Sequence, residues 1–234
     1  MMAHPEGPGA FQARLQAIEA EVEVTLWDTS LDESAALARY QQAHAALEAL
    51  MPRCDAEALP ACQALLAYVL LRADDLLYEI DGDLSASLGR MEQAVALAEQ
   101  SGDAVQMGRC LMVQGERLLL AERPAEAKRA WERCEAIGRA GESPQQRQLL
   151  GWLLLMRARQ ALREEDWAQA SALAQEAREA LEAVEDEAGL GALYLVLALL
   201  YEAQGRPMTE IAIARAEAGH WTARARMKHQ PTSR

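Results

Sequence analysis

Apolar residues recur along most of the chain at the three- and four-residue spacings of a helix face, and short segments of turn chemistry interrupt them. The pattern predicts a first helix from about Ala10 to Trp27. Asp32 is placed to cap a second, which ends near Met51 before Pro52. A third runs from about Glu57 to Ile80 and stops at Asp81-Gly82-Asp83, and a fourth stops at Ser101-Gly102-Asp103. The fifth reaches Glu122, and Pro124 opens the sixth in its first turn, where a missing N–H costs nothing. The sixth ends at Gly141, and Ser143-Pro144 starts the seventh, which ends near Glu164. Asp166 caps the eighth, ending around Asp186; the ninth reaches Gly205, and Pro207 starts the tenth, ending near His220. No segment alternates like a strand. The fold class is all-α, with ten helices in five antiparallel pairs.

The pairs repeat. Turns at Gly82-Asp83-Leu84, Arg123-Pro124, Asp166-Trp167 and Arg206-Pro207 lie about 40 residues apart. Measured from them, Tyr68, Gly108, Gly151 and Gly191 are equivalent, as are Asp75, Gly115, Ala158 and Ala198. Tyr78, Leu118, Ala161 and Tyr201 form a third set. In the second helices Ser87, Ala127 and Ala170 coincide, then Met91, Trp131 and Ala174, then Ala94, Cys134 and Ala177. Small residues where two helices cross let them approach, and larger flanking residues fill the gaps.

This arrangement resembles the tetratricopeptide repeat. GERLLLAERPAEAKRAWERC (Gly115–Cys134) carries the resemblance, with ALLYEAQGRP (Ala198–Pro207) and an early ESAALARYQQA bearing Ala36, Tyr40 and Ala43. The period departs from the family's common 34 residues, as in the longer repeats of bacterial signalling and regulatory proteins. Asp75 and Glu210 stand where small residues are expected. The resemblance implies a right-handed superhelical α-solenoid over residues 10–220. It would be preceded by a disordered Pro- and Gly-containing leader over 1–9 and followed by a basic tail over 221–234.

Composition agrees with helix on helix. Hydrophobic residues make up 51% but aromatics only 5%, so Ala and Leu, both strong helix formers, dominate the core material. The net charge of −13 argues against nucleic acid as the main partner, because phosphate binding needs clustered Lys and Arg. MMAHPEGPGAF lacks the basic start and apolar run of a signal peptide, and the apolar stretch around Trp152–Met156 is broken by Arg157 and Arg159. A cytoplasmic protein with no membrane segment is expected. Cys54, Cys62, Cys110 and Cys134 form no CxxC pair, so neither a metal nor a cofactor is expected.

No nucleotide-binding, zinc-protease or hydrolase motif occurs, and no catalytic residue is assigned. The acidic group Asp74, Asp75 and Glu79 is the one candidate for acid–base or metal chemistry, since Asp75 and Glu79 lie one helical turn apart; the plainer reading is solvated charge near a helix end. The resemblance places the first helix of each pair on a concave face. Carried over by register, that face holds Val69, Arg72, Leu76 and Glu79, then Arg109, Met112 and Glu116, then Trp152, Leu155, Arg159 and Arg163, then Leu195, Leu199 and Glu202. Arg72, Arg109, Met112, Trp152, Arg159, Arg163, Leu195 and Leu199 therefore form a candidate partner groove, with Arg for carboxylates and Trp as an anchor. The alternative is that these Arg residues pair with nearby carboxylates and Trp152 belongs to the core. The Lys and Asn of the family's chaperone-binding clamp are not matched. The function expected is a protein- or peptide-binding scaffold, taking a partner with acidic residues, rather than an enzyme. A self-assembling homo-oligomer is the alternative.

Overall fold

The computed structural model describes residues 8–28, 30–141 and 143–229. Among them are ten α-helices: α1 (Pro8–Trp27), α2 (Glu33–Leu50), α3 (Leu59–Asp81), α4 (Leu84–Ser101), α5 (Ala104–Leu120), α6 (Pro124–Ala140), α7 (Pro144–Arg163), α8 (Trp167–Glu182), α9 (Glu187–Ala203) and α10 (Met208–His229). A single 3-10 turn, Met51–Arg53, follows α2, and no strand occurs among the described residues. None of these helices is long and apolar enough to cross a membrane.

Side-chain caps set the starts. Asp32, Asp83, Asp103, Asp166 and Asp186 each accept from the backbone N–H three residues on, at 2.7, 3.0, 2.8, 2.9 and 2.9 Å. Each cap contributes about 1 kcal/mol. The ends are equally regular. Gly82, Glu122, Glu165 and Gly205, spaced 40, 43 and 40 residues apart, all adopt positive φ, at 65°, 57°, 60° and 64°. After the last three of these the following N–H reaches back to the carbonyl five residues earlier: Arg123 to Leu118, Asp166 to Ala161 and Arg206 to Tyr201, each at 2.9 Å. This closes the last turn with a left-handed residue; Glu185 does the same ahead of Asp186, whereas after Gly82 the Asp83 N–H donates to the Asp81 side chain instead.

Contacts divide the chain into two compact units, one through Ala127 and the other from Lys128. In the first, α1 contacts α2, α2 contacts α3, α3 contacts α4 and α4 contacts α5, and α3 also touches α1 and α5. Its core holds Leu47, Leu66, Val69, Met91, Ala94 and Leu111, each at most 1% exposed. Burying such side chains stabilises by about 1.5–3 kcal/mol each. In the second unit α7 packs on α8, α8 on α9 and α9 on α10, and α7 also meets α9. Gly151 and Gly191 explain the repeated glycine. A Cβ on Gly151 would lie 2.7 Å from the Leu181 side chain, and one on Gly191 would lie 2.7 Å from Thr222 Oγ1. An added methyl at either position would force the facing side chain to shift.

Two boundaries differ from the periodicity. Pro8 and Gly9 begin α1, while the rest of the leader lies outside the described residues. The tenth helix continues past His220 to His229, so much of the basic tail is helix. Thr222 packs on Gly191, Ala225 is buried, and Arg224 pairs with Glu187 at 2.8 Å while lying over the Trp221 ring. Tertiary packing on α9 extends the helix through residues whose charge reads as a tail. Residues 230–234 lie outside the described set.

Candidate interaction surfaces

In the first unit two charged residues, Asp74 and Arg117, are buried among the described residues. Asp74, on α3, is fully buried. It accepts from Ser87 Oγ at 2.7 Å and from Arg90 Nε at 2.7 Å, both on α4, and its second oxygen lies 3.4 Å from Arg117 Nε on α5. Arg117, itself buried, also donates to Ser87 Oγ at 3.0 Å, lies 3.6 Å from Asp75 Oδ1 and 3.4 Å from Glu116, and stacks over the Tyr78 ring at 4.3 Å. The cluster joins three helices, and each carboxylate oxygen of Asp74 has a guanidinium partner. Glu79 is exposed on the last turns of α3 and takes no part in this cluster.

Arg72 donates to Asp75 Oδ2 at 3.2 Å, and its Nε is buried without a hydrogen-bond partner among the described residues. Burial pushes the Asp75 carboxyl up to about 6, against the pull of Arg72 and Arg117. A cavity of about 210 Å³ opens beside this pair, walled by Leu26, Leu31, Tyr40 and Leu76. Arg109 is half-buried with its guanidinium 5.9 Å from the Tyr68 ring centre, and Met112 is half-buried on the same helix. Val69, assigned by register to the same face, is fully buried in the core. Burial also raises the Cys62, Cys110 and Cys134 thiols to about 12, which leaves them neutral and unreactive at physiological pH.

In the second unit, Trp152 on α7 is half-buried against the apolar cluster of Leu154, Leu155, Leu193 and Leu197. Its Nε1 donates to Asp186 Oδ2 at 2.8 Å, and Gln148 Nε2 donates to the same oxygen at 2.9 Å. Asp186 thus caps α9 with one oxygen and ties α9 to α7 with the other. The periodicity treats Asp186 as the end of α8. The signal that marks it as a cap is an Asp three residues ahead of Gly189 at the start of an apolar run. Arg159 and Arg163 are exposed on α7, and Arg163 Nη1 reaches the Gln160 side-chain oxygen at 3.3 Å.

Leu195 and Leu199 behave differently. The 40-residue offset between the α7–α8 and α9–α10 turns makes Leu195 the equivalent of Leu155 and Ile213 the equivalent of Leu173. Leu155 is 2% exposed and Leu173 packs against the same cluster, but Leu195 is 54%, Leu199 53% and Ile213 63% exposed. One α7 stripe holds Gln148, Trp152 and Leu155, and α9 with its cap covers it. By the same offset the matching α9 stripe is Ala188, Ala192 and Leu195, and Leu195 has no helix over it among the described residues, whereas Leu199 is equivalent to Arg159, which is itself exposed on α7. Glu202, next along the stripe, is neutralised by Arg215 of α10.

Formal charge is distributed unevenly between the units. The first holds 8 Lys and Arg against 21 Asp and Glu, a net charge of −13, and the second holds 15 against 15. The chain's net charge of −13 therefore equals that of the first unit.

No protein-family model matches the chain. No curated protein matches it either. Among solved structures, the crystal structure of BtubC (BKLC) from P. vanneervenii is similar, with a TM-score of 0.55 and 14% identity over 96% of this chain and 95% of that one. At that identity the likeness is one of fold, and it supports an all-helical architecture of this length.

Proposed function

We propose that the chain is a non-catalytic, tetratricopeptide-like repeat scaffold that holds another polypeptide by burying the α9 stripe under a helix of its partner. The repeated capped turns and the fold likeness support the repeat assignment, and the right-handed stacking of such repeats is part of the same proposal. The observation that carries the function is the contrast between Leu155, 2% exposed, and Leu195, 54% exposed. Leu155 is buried against α9, and no helix among the described residues covers Leu195. Covering the exposed Leu195 and Leu199 side chains would release water from apolar surface. The acidic residues Asp74 and Asp75 serve as counter-charges to Arg90, Arg117 and Arg72, and we assign them no catalytic step.

A second reading rests on the exposure of Arg159 and Arg163. A peptide with carboxylates beside apolar residues would bind these guanidinium groups, and Arg159→Ala/Arg163→Ala would weaken it while leaving the α9 contact intact.

The leading reading is tested by affinity capture with tagged wild-type chain and a Leu195→Lys/Leu199→Lys variant of equal helicity. A polypeptide retained by the wild type and lost by the variant supports the stripe as the docking face. Equal retention by both removes it.

A further inference from the structure

The cavity of about 210 Å³ in the first unit lies where the end of α1, the start of α2 and the latter half of α3 meet. Its apolar walls are Leu26, Leu31, Ala36 and Leu76, with Tyr40. Asp28, Asp32, Glu33 and Asp75 also line it, against a single cation, Arg72. Arg72 is already bound to Asp75 at 3.2 Å, and Asp28 is held by Arg39 at 3.5 Å. Among the described residues Asp32 uses one oxygen to cap α2 and has no cationic partner, and Glu33 has none either. We infer that this cavity takes the side chain of a lysine or arginine from a basic polypeptide.

Size and chemistry both fit. A water fills about 30 Å³, so the cavity has room for about seven atoms of that size, the number of heavy atoms in an arginine side chain. The methylene stem lies along the leucine walls while the charged head meets the exposed Asp32 and Glu33. Burial outweighs the pull of Arg72 and Arg117 on Asp75, so that carboxylate still gains from a further cation. An acidic side chain would instead meet four carboxylates and a guanidinium that already has its counter-charge. The surroundings carry the same sign. Glu19, Glu21 and Glu23 are exposed along the helix that ends at the cavity, and the first unit as a whole bears −13. A segment with several positive residues gains from that field along its length, whereas a single small cation gains only at the cavity.

The test is fluorescence anisotropy of a short rhodamine-labelled peptide of alternating alanine and arginine, titrated with the purified full chain, beside its alanine–glutamate counterpart. Asp32→Asn/Glu33→Gln neutralises the two unpaired carboxylates and keeps a residue that caps α2. Glu57→Gln/Glu92→Gln makes the same change in net charge outside the cavity wall. Leu31→Trp fills the cavity and leaves every charge in place, and circular dichroism checks that all variants are equally helical. The wild type is expected to bind the arginine peptide and not the glutamate peptide. The cavity pair and Leu31→Trp should each weaken binding by about tenfold or more, and the control pair by less than about threefold. No binding of the arginine peptide by the wild type overturns the inference. Equal weakening by the cavity and control pairs, or binding that Leu31→Trp leaves intact, overturns it too, because the attraction is then diffuse. N-acetylarginine amide binding as tightly as the peptide would overturn the polypeptide occupant and leave a small cation. None of these results bears on the α9 stripe, which the capture experiment tests separately.

Discussion

Asp74→Ala should be among the most damaging single substitutions in the first unit. The carboxylate is fully buried and answers three donors, Ser87 Oγ and Arg90 Nε at 2.7 Å and Arg117 Nε at 3.4 Å. Removing one member of a buried ion pair leaves an uncompensated charge and costs about 3–5 kcal/mol. Two features place the cost toward the lower end. Arg90 retains 21% side-chain exposure and can turn to water, and Asp75 remains 3.6 Å from Arg117. A loss of about 3 kcal/mol is a large share of the roughly 5–15 kcal/mol that holds a domain folded. Urea unfolding followed by far-UV circular dichroism measures it. The same measurement on Arg117→Met and on the double variant separates charge compensation from simple packing. Once the guanidinium is gone, loss of its counter-charge matters less, so the double variant should be more stable than the sum of the singles implies by about 2 kcal/mol. Additive effects, or a cost of Asp74→Ala under about 1 kcal/mol, would refute the buried-network account.

Asp75 gives a pH signature. Its folded carboxyl titrates near 6, above the unfolded value, so between about pH 4 and 6 the native state holds the extra proton and stability falls as pH rises. The side chain is 36% exposed, so the effect screens down to about 1 kcal/mol, and Asp75→Asn should flatten that limb of a stability–pH curve. Asp186→Ala removes a helix cap and strands the Trp152 N–H, a loss of about 2–4 kcal/mol by urea unfolding, whereas Asp186→Asn should retain most of the stability. Glu165→Gly relieves a left-handed residue at the position that Gly82 and Gly205 fill elsewhere, and should raise the unfolding free energy by up to about 1 kcal/mol.

Much of the helical layout is legible in the chain because its punctuation is local. Asp32 and Asp166 cap helices at the places where the pattern puts them, and Gly82 and Gly205 end helices with the backbone that glycine favours. Gly82, Glu122, Glu165 and Gly205 fall on the spacing read from the sequence, while the left-handed Gly102 and Glu185 fall between them. What local pattern does not convey is which equivalent residue finds a neighbour. Leu155 and Leu195 look alike in sequence, and only the packing of α9 over the first separates them among the described residues. Asp74 and Asp75 are adjacent acids, and only the approach of α4 and α5 makes one a buried counter-ion and the other a half-exposed partner of Arg72. Register alone places Val69 and Leu155 on an open face, yet both are core, because stacked helices cover that stripe. The continuation of α10 carries a readable signal, Ala218, Trp221 and Ala225 at helical spacing, that Arg224, Arg226 and Lys228 obscure.

Replacing Leu199 with a photo-crosslinking amino acid in the full chain, and irradiating it in its host cells, tests the docking face most directly. The account predicts a covalent adduct to another polypeptide at position 199, with none at the equally exposed Ile80 of the first unit. No adduct at position 199, or the same adduct from both positions, would contradict it.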